Sequence, residues 1–196
     1  TILILNSDTK LLNDAISSTY DFLNKHQNIG IVTCRLENID GSPQNNCQAF
    51  PKIKNILMGL FRINKFLPTS KVAKIFYGPY FNYLEIAYPD YVWGTFFMFP
   101  KKLLNIFSNQ LLPETFWMYV EDVEWCWLAK QAGYEIAFVP NGKVLHYGGN
   151  HHPEAEKMIH DNFNQFIKLY YNKINACIII GLLKILEWSQ WRKWFA

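Results

Sequence analysis

Three carboxylates fall within four residues of one another, Glu121, Asp122 and Glu124, in the stretch WMYVEDVEWCWLAKQAG that covers residues 117–133. Downstream, His146 stands just ahead of Gly148 and Gly149. Carboxylates accept protons and bind hard cations, and histidine titrates near neutrality and ligates metals, so the two types can share a proton-transfer or ion-binding site if the fold brings them together. A third chemically suggestive group lies near the start, where Asn6, Ser7 and Asp8 follow the apolar run ILIL. Asp8 has two readings: an N-terminal cap for a following helix, or a ligand-facing group at the carboxyl end of a strand.

The elements that must position these groups follow from periodicity. Val123, Cys126 and Trp127 recur at helical spacing and Gly133 is a C-terminal stop, which places the acids in the first turn of a short helix, where the helix dipole favours negative charge. Glu124 reads there as a solvated dipole complement. Residues 134–139 form a strand, Pro140, Asn141 and Gly142 a turn, and residues 143–147 a second extended piece carrying His146.

Upstream, the unbroken apolar run Ile2–Leu5 predicts a central, parallel strand, and its position at the very start predicts a segment ahead of it in a longer protein. Residues 10–25 form a helix with an inner stripe of Leu12, Ile16, Thr19 and Leu23, and residues 29–36 the next strand, making a strand–helix–strand unit. Asp40 and Gly41 mark a turn. Helical patches follow at 53–66 and 70–76, then a strand at 91–99 in which Gly94 permits close backbone approach, and a short helix at 101–107. Residues 153–172 form a helix with an aromatic stripe of Phe163, Phe166 and Tyr170.

The 196 residues suit one domain with a substantial core, and at 50% hydrophobic and 17% aromatic the chain is not a disordered one. A net charge of +3 gives no argument for nucleic acid. The charge is uneven, however. Between residues 51 and 75 stand Lys52, Lys54, Arg62, Lys65, Lys71 and Lys74 with no acid, interleaved with Ile56, Leu57, Leu60, Phe61, Phe66 and Leu67. That stretch is either a solvated helix with a buried face or a surface for anionic head groups. The tail, with Trp188, Trp191, Trp194 and Phe195 beside Lys184, Arg192 and Lys193, has the same two readings, packing or interfacial anchoring. Cys34, Cys47, Cys126 and Cys177 lack metal-site spacing and read as reduced, mostly buried thiols. No apolar run reaches the roughly 20 residues of a spanning helix. His151 and His152, adjacent in an extended segment, point apart and read as surface residues.

Three blocks in order carry a resemblance: LILNSDT at 3–9, VWGTFFMFPKKLL at 92–104, and MYVEDVEWCWLAKQAGYEIAFVPNGKVLHYGG at 118–149. Together they resemble the C-terminal part of a family 2, GT-A fold inverting glycosyltransferase of the rhamnosyltransferase-like branch, which builds bacterial surface polysaccharides. The resemblance implies an α/β, Rossmann-like fold lacking its first strands. It assigns residues 1–150 to the catalytic domain and 151–196 to C-terminal amphipathic helices at a membrane surface.

By the same resemblance, Asp8 with Asn6 corresponds to the metal and diphosphate motif, His146 to a histidine that completes the metal site, and Asp122 to the general base. Glu121 corresponds to an orienting or acceptor-contacting neighbour, and Gly94 and Thr95 line the acceptor cleft. The implied cofactor is Mg²⁺ or Mn²⁺. The implied partners are a UDP- or dTDP-sugar donor and a lipid-linked saccharide acceptor, at the cytoplasmic face of the cell membrane. Two departures stand out: Ser7 replaces the usual proline of the first motif, and Glu124 replaces the last aspartate of the acidic block. The strands that hold the nucleoside would lie before Thr1, which implies a fragment inactive alone. Rival readings are a non-catalytic, membrane-associated remnant and a metal-dependent hydrolase.

Overall fold

Apolar runs at residues 2–5, 29–36, 96–99 and 136–139 become neighbours in one mixed sheet of a mixed α/β structure. The computed structural model describes residues 1–68, 71–72, 78–148 and 153–188. Its strands are β1 (Ile2–Leu5), β2 (Thr9–Leu11), β3 (Ile29–Glu37), β4 (Cys47–Gln48), β5 (Tyr91–Val92), β6 (Phe96–Phe99) and β7 (Glu135–His146). Five of them form a sheet in the order β1-β6-β3-β7-β2, while β4 and β5 pair separately. β6 runs antiparallel to both β1 and β3, and β3 runs parallel to β7. Hence β1, β3 and β7 point the same way, and their carboxyl ends share one end of the sheet with the beginning of β6.

Helices cover both faces of β3, β6 and β7, which is why these strands read as continuous rather than alternating apolar runs. The helix α1 (Ala15–Lys25) buries Ala15, Thr19 and Leu23. Ala15 and Leu23 share a core with Ile29, Val32, Cys34, Phe96, Met98, Ala137 and Val139. Phe97, the strand neighbour of Phe96 and Met98, turns the other way and meets Trp125 of α3 (Glu121–Gln131) edge-on, ring centroids 5.7 Å apart.

Several elements differ from the sequence expectation. Ile2–Leu5 is not a central parallel strand; among the described residues it ends the strand order, antiparallel to β6 and only partly buried. An apolar run reports covered faces, not place in the sheet. The expected helix at 10–25 starts only at Ala15, because Thr9–Leu11 pair with β7 as β2. That moves the inner stripe onto Ala15, Thr19 and Leu23 and leaves Leu12 and Ile16 exposed. The expected strand at 91–99 breaks at Gly94 and Thr95 into β5 and β6, which belong to different sheets. Residues 101–106 are a 3₁₀ helix.

The expected turn at Pro140, Asn141 and Gly142 does not reverse the chain. β7 is one twelve-residue strand, and the three residues form a bulge between the pairs Cys34–Val139 and Arg35–Lys143. Asn13 secures it: Nδ2 donates to Asn141 O and Oδ1 accepts from Lys143 N, both at 2.8 Å. Gly142 is required by close approach, since a Cβ there would sit 2.9 Å from Cys34 Cβ and 3.1 Å from Ala15 Cα. The bend solves a distance problem. Strands four places apart in a flat sheet lie about 19 Å apart at ~4.8 Å per step. The four links from Leu5 to Thr9 reach at most about 14 Å. The sheet therefore curls at this end, and Asn6, Ser7 and Asp8 pass across it.

The described chain divides into two compact units, Thr1–Gln48 with Asn82–Asn150, and Ala49–Phe81 with His151–Ala196. The second contains α2 (Ile53–Leu60), α4 (Pro153–Tyr170) and α5 (Lys173–Trp188). Its core centres on Phe166, which is fully buried and packs near Phe50, Phe163, Tyr170 and Tyr171, as the aromatic stripe predicts. The helical patch expected at 53–66 is broken at Arg62, whose φ of 54° is left-handed, and resumes as the 3₁₀ helix Ile63–Phe66. Of the patch at 70–76 only Lys71 and Val72 are described; His151, His152, Trp191, Arg192, Lys193, Trp194 and Phe195 also lie outside the described residues. No helix among the described residues is long and apolar enough to cross a membrane. Cys34, Cys47 and Cys126 are free and buried, and Cys177 is free and exposed.

Candidate functional site at the carboxyl end of the sheet

Asp122 is delivered to this end by an abrupt entry into α3. Tyr119 and Val120 both adopt left-handed backbone, with φ of 63° and 76°. For a β-branched valine that conformation is costly, on the order of 1–3 kcal/mol. The turn places Glu121 and Asp122 in the first helical turn, as expected. Asp122 Oδ1 accepts from the Val123 amide, and Oδ2 accepts from the Gly94 amide in the link between β5 and β6, both at 2.8 Å.

These two amides favour the carboxylate, but they are outweighed. Burial, with a smaller contribution from the neighbouring Glu121 charge, raises the Asp122 pKa from 3.8 to about 7. A carboxyl poised there can take a proton near neutral pH. Glu121 is half-buried, its pKa is also raised by burial, and its Oε2 has no hydrogen-bond partner among the described residues. Glu124 departs from expectation: it is fully buried rather than solvated, on the inner side of α3 with Val123, Cys126 and Ala129.

The other predicted groups lie at the same end of the sheet. The Asn6 amide donates to Thr95 O at 3.0 Å, so the first motif abuts the Gly94–Thr95 link that holds Asp122. Two residues on, Asp8 is not a helix cap; α1 starts at Ala15 behind Asp14. Instead the Asp8 carbonyl accepts from the Tyr147 amide at 3.0 Å, and its Oδ2 lies 3.3 Å from Nε2 of His146. His146 is opposite Thr9 in the β2–β7 pairing. Its pKa is lowered by burial, an effect only partly offset by the Asp8 charge. A neutral imidazole beside a carboxylate is a donor set for a divalent cation.

Among the described residues no group of three or more His, Cys, Asp or Glu side chains could hold a metal. Asp8 and His146 fit the implied cation as a two-ligand set, the form expected when a substrate's phosphate oxygens supply other ligands. Gly94 leaves room beside the carboxyl: a Cβ there would make ordinary contact, 3.6 Å from Asp122 Cβ and 3.7 Å from Oδ2.

One participant had no sequence signal. Gln44, in a stretch without motif or periodicity, has its Oε1 2.7 Å from His146 Nδ1. Only the return of the chain after β3 brings it there.

No protein-family model and no curated protein matches this chain.

Proposed function

We propose that the carboxyl end of this sheet is the transfer site of an inverting glycosyltransferase of family 2 and GT-A fold. The observation that carries the reading is Asp122. It is a carboxyl raised to about 7, fixed by the Gly94 amide, at the sheet end where Asp8 meets His146.

In the proposed reaction a saccharide hydroxyl gives its proton to Asp122 while its oxygen bonds to the anomeric carbon of a nucleotide sugar. The bond from that carbon to the diphosphate oxygen breaks on the opposite face, which inverts the centre. Glu121, beside the base with its Oε2 buried and without a hydrogen-bond partner among the described residues, orients the hydroxyl. Gly94 and Thr95 border the acceptor. Asp8 and His146 hold Mg²⁺ or Mn²⁺, which supplies charge neutralisation for the departing diphosphate. Asn6 keeps the strand end in place through Thr95. The donor is a UDP- or dTDP-sugar.

The acceptor is a lipid-linked saccharide, with the chain peripheral at the cytoplasmic face of a bacterial membrane. Charge separation supports that placement. Residues 49–81 with 151–196 carry twelve Lys and Arg against four Asp and Glu, whereas the remaining residues carry seven against twelve. In the basic unit, α5 exposes Ile174, Ile178 and Ile185 along one face, and Phe61 and Phe66 are also exposed, at 72% and 85%. Apolar side chains at a strongly cationic surface match an anionic bilayer interface.

The test of the site is calorimetry with Mn²⁺ and inorganic pyrophosphate. Pyrophosphate addresses the Asp8–His146 pair without needing a nucleoside pocket. Manganese-dependent pyrophosphate binding that Asp8→Ala and His146→Ala abolish supports the reading. Absence of manganese-dependent pyrophosphate binding by the folded wild-type chain overturns it and leaves a non-catalytic, membrane-associated remnant.

A further inference from the structure

We infer that Gln44 is the positioning residue that holds His146 as its Nδ1–H tautomer and leaves Nε2 bare toward Asp8. The inference deepens the cation-site reading above and rests on it for its functional meaning.

The orientation of the Gln44 amide is decided by its nitrogen. Nε2 donates to the His146 carbonyl and to Asn38 Oδ1, each at 2.9 Å. A backbone carbonyl can only accept, so this position requires the nitrogen; turning the amide over would press Oε1 against two oxygens. Oε1 therefore faces the ring, 2.7 Å from Nδ1. An amide oxygen has no proton to give, so Nδ1 must donate. In a neutral imidazole the second nitrogen then carries only a lone pair. That nitrogen, Nε2, is the one 3.3 Å from Asp8 Oδ2.

Two acceptors thus face each other across a gap that a cation can bridge. Were the tautomer reversed, Nε2–H would donate to Asp8, satisfying the pair internally and blocking the ligand position. Gln44 selects against that state. The Gln44 backbone N–H donates to Leu36 O at 2.9 Å, and Asn38 Nδ2 donates to Ser42 Oγ at 2.9 Å. The loop after β3 is thereby built around the selector. Ligating histidines commonly have their other ring nitrogen fixed this way, and loss of the partner costs 10- to 100-fold in metal affinity.

The test uses the whole chain, labelled with ¹⁵N histidine and free of metal, with long-range proton–nitrogen correlation spectra above neutral pH. The expected His146 signal is that of the Nδ1–H tautomer in the wild type. In Gln44→Met, which keeps length but has no amide, the signal moves toward Nε2–H. Mn²⁺ titration should show affinity falling about 10- to 100-fold in Gln44→Met. An Nε2–H signal in the wild type overturns the inference without recourse to any variant, as does an unchanged signal in folded Gln44→Met. If the tautomer behaves as expected but the wild type binds no Mn²⁺, Gln44 retains its role and the cation reading alone fails.

Discussion

The amide of Gly94 donates a 2.8 Å hydrogen bond to Oδ2 of Asp122, joining positions 28 residues apart in the chain. It ties the first turn of α3 to the start of β6, and it supplies one of the few forces holding the Asp122 carboxyl in its charged form. Burial still prevails and sets the pKa at about 7.

A stability measurement tests it directly. Between pH 3.8 and about 7 the native carboxyl keeps a proton that the unfolded chain has released. The group's contribution is thus fully present below 3.8 and is lost as pH rises to 7. The limiting slope is about 1.4 kcal/mol per pH unit, with an upper bound of about 4 kcal/mol over the whole window. Asp122→Asn removes the titration. Urea unfolding at mildly acidic and mildly alkaline pH should show the wild type losing more stability than the variant as pH rises. Equal losses would place the carboxyl pKa near its ordinary value. In a transfer assay the same group predicts a rate that climbs with pH through a midpoint near 7.

The local chemistry of α3 was legible in sequence: the acids at its start and the glycine at its end. Strand order was not. Ile2–Leu5 looks central because an apolar run carries no information about which strands flank it, and the antiparallel insertion of β6 is set by contacts across more than 60 positions, such as Thr33 Oγ1 donating to Phe96 O at 2.7 Å. Pro140, Asn141 and Gly142 have turn composition yet serve as a bulge, since Asn13 offers both a donor and an acceptor to their backbone. Gln44 was invisible because carboxamides have no periodic signature. Glu124 was misread because an acid in a helix's first turn is commonly a solvated dipole complement, whereas the inner face of α3 includes it.

The two glycines nearest the site should respond differently to alanine. Gly142→Ala puts a methyl 2.9 Å from Cys34 Cβ and 3.1 Å from Ala15 Cα, atoms of a strand and of a helix start that cannot swing away. The expected loss is about 1–3 kcal/mol, read by urea unfolding. At Gly94 the nearest atoms are at 3.6 Å, so Gly94→Ala should change stability by less than about 1 kcal/mol. It also preserves the amide donor to Asp122. Similar losses for both would mean that the bulge is not held as tightly as its contacts indicate.

The basic unit makes a prediction about surfaces. Ile174, Ile178 and Ile185 recur at helical spacing on the exposed side of α5 while Ala176, Ile179 and Leu186 are buried, so the helix is apolar on two sides. One side is accounted for by the core; lipid is the proposed occupant of the other, because the unit that bears it is strongly cationic. Flotation with phosphatidylcholine vesicles, with and without an equal share of phosphatidylglycerol, reads this. Binding should require the anionic lipid, weaken as salt screens the charge, and fall at least about tenfold when Ile178→Glu and Ile185→Glu are combined. Light scattering in the same buffers separates the lipid occupant from a second copy of the chain. A wild-type dimer that the double variant dissolves, without vesicle binding by either, would assign the isoleucine face to self-association and remove the structural support for a membrane-facing acceptor.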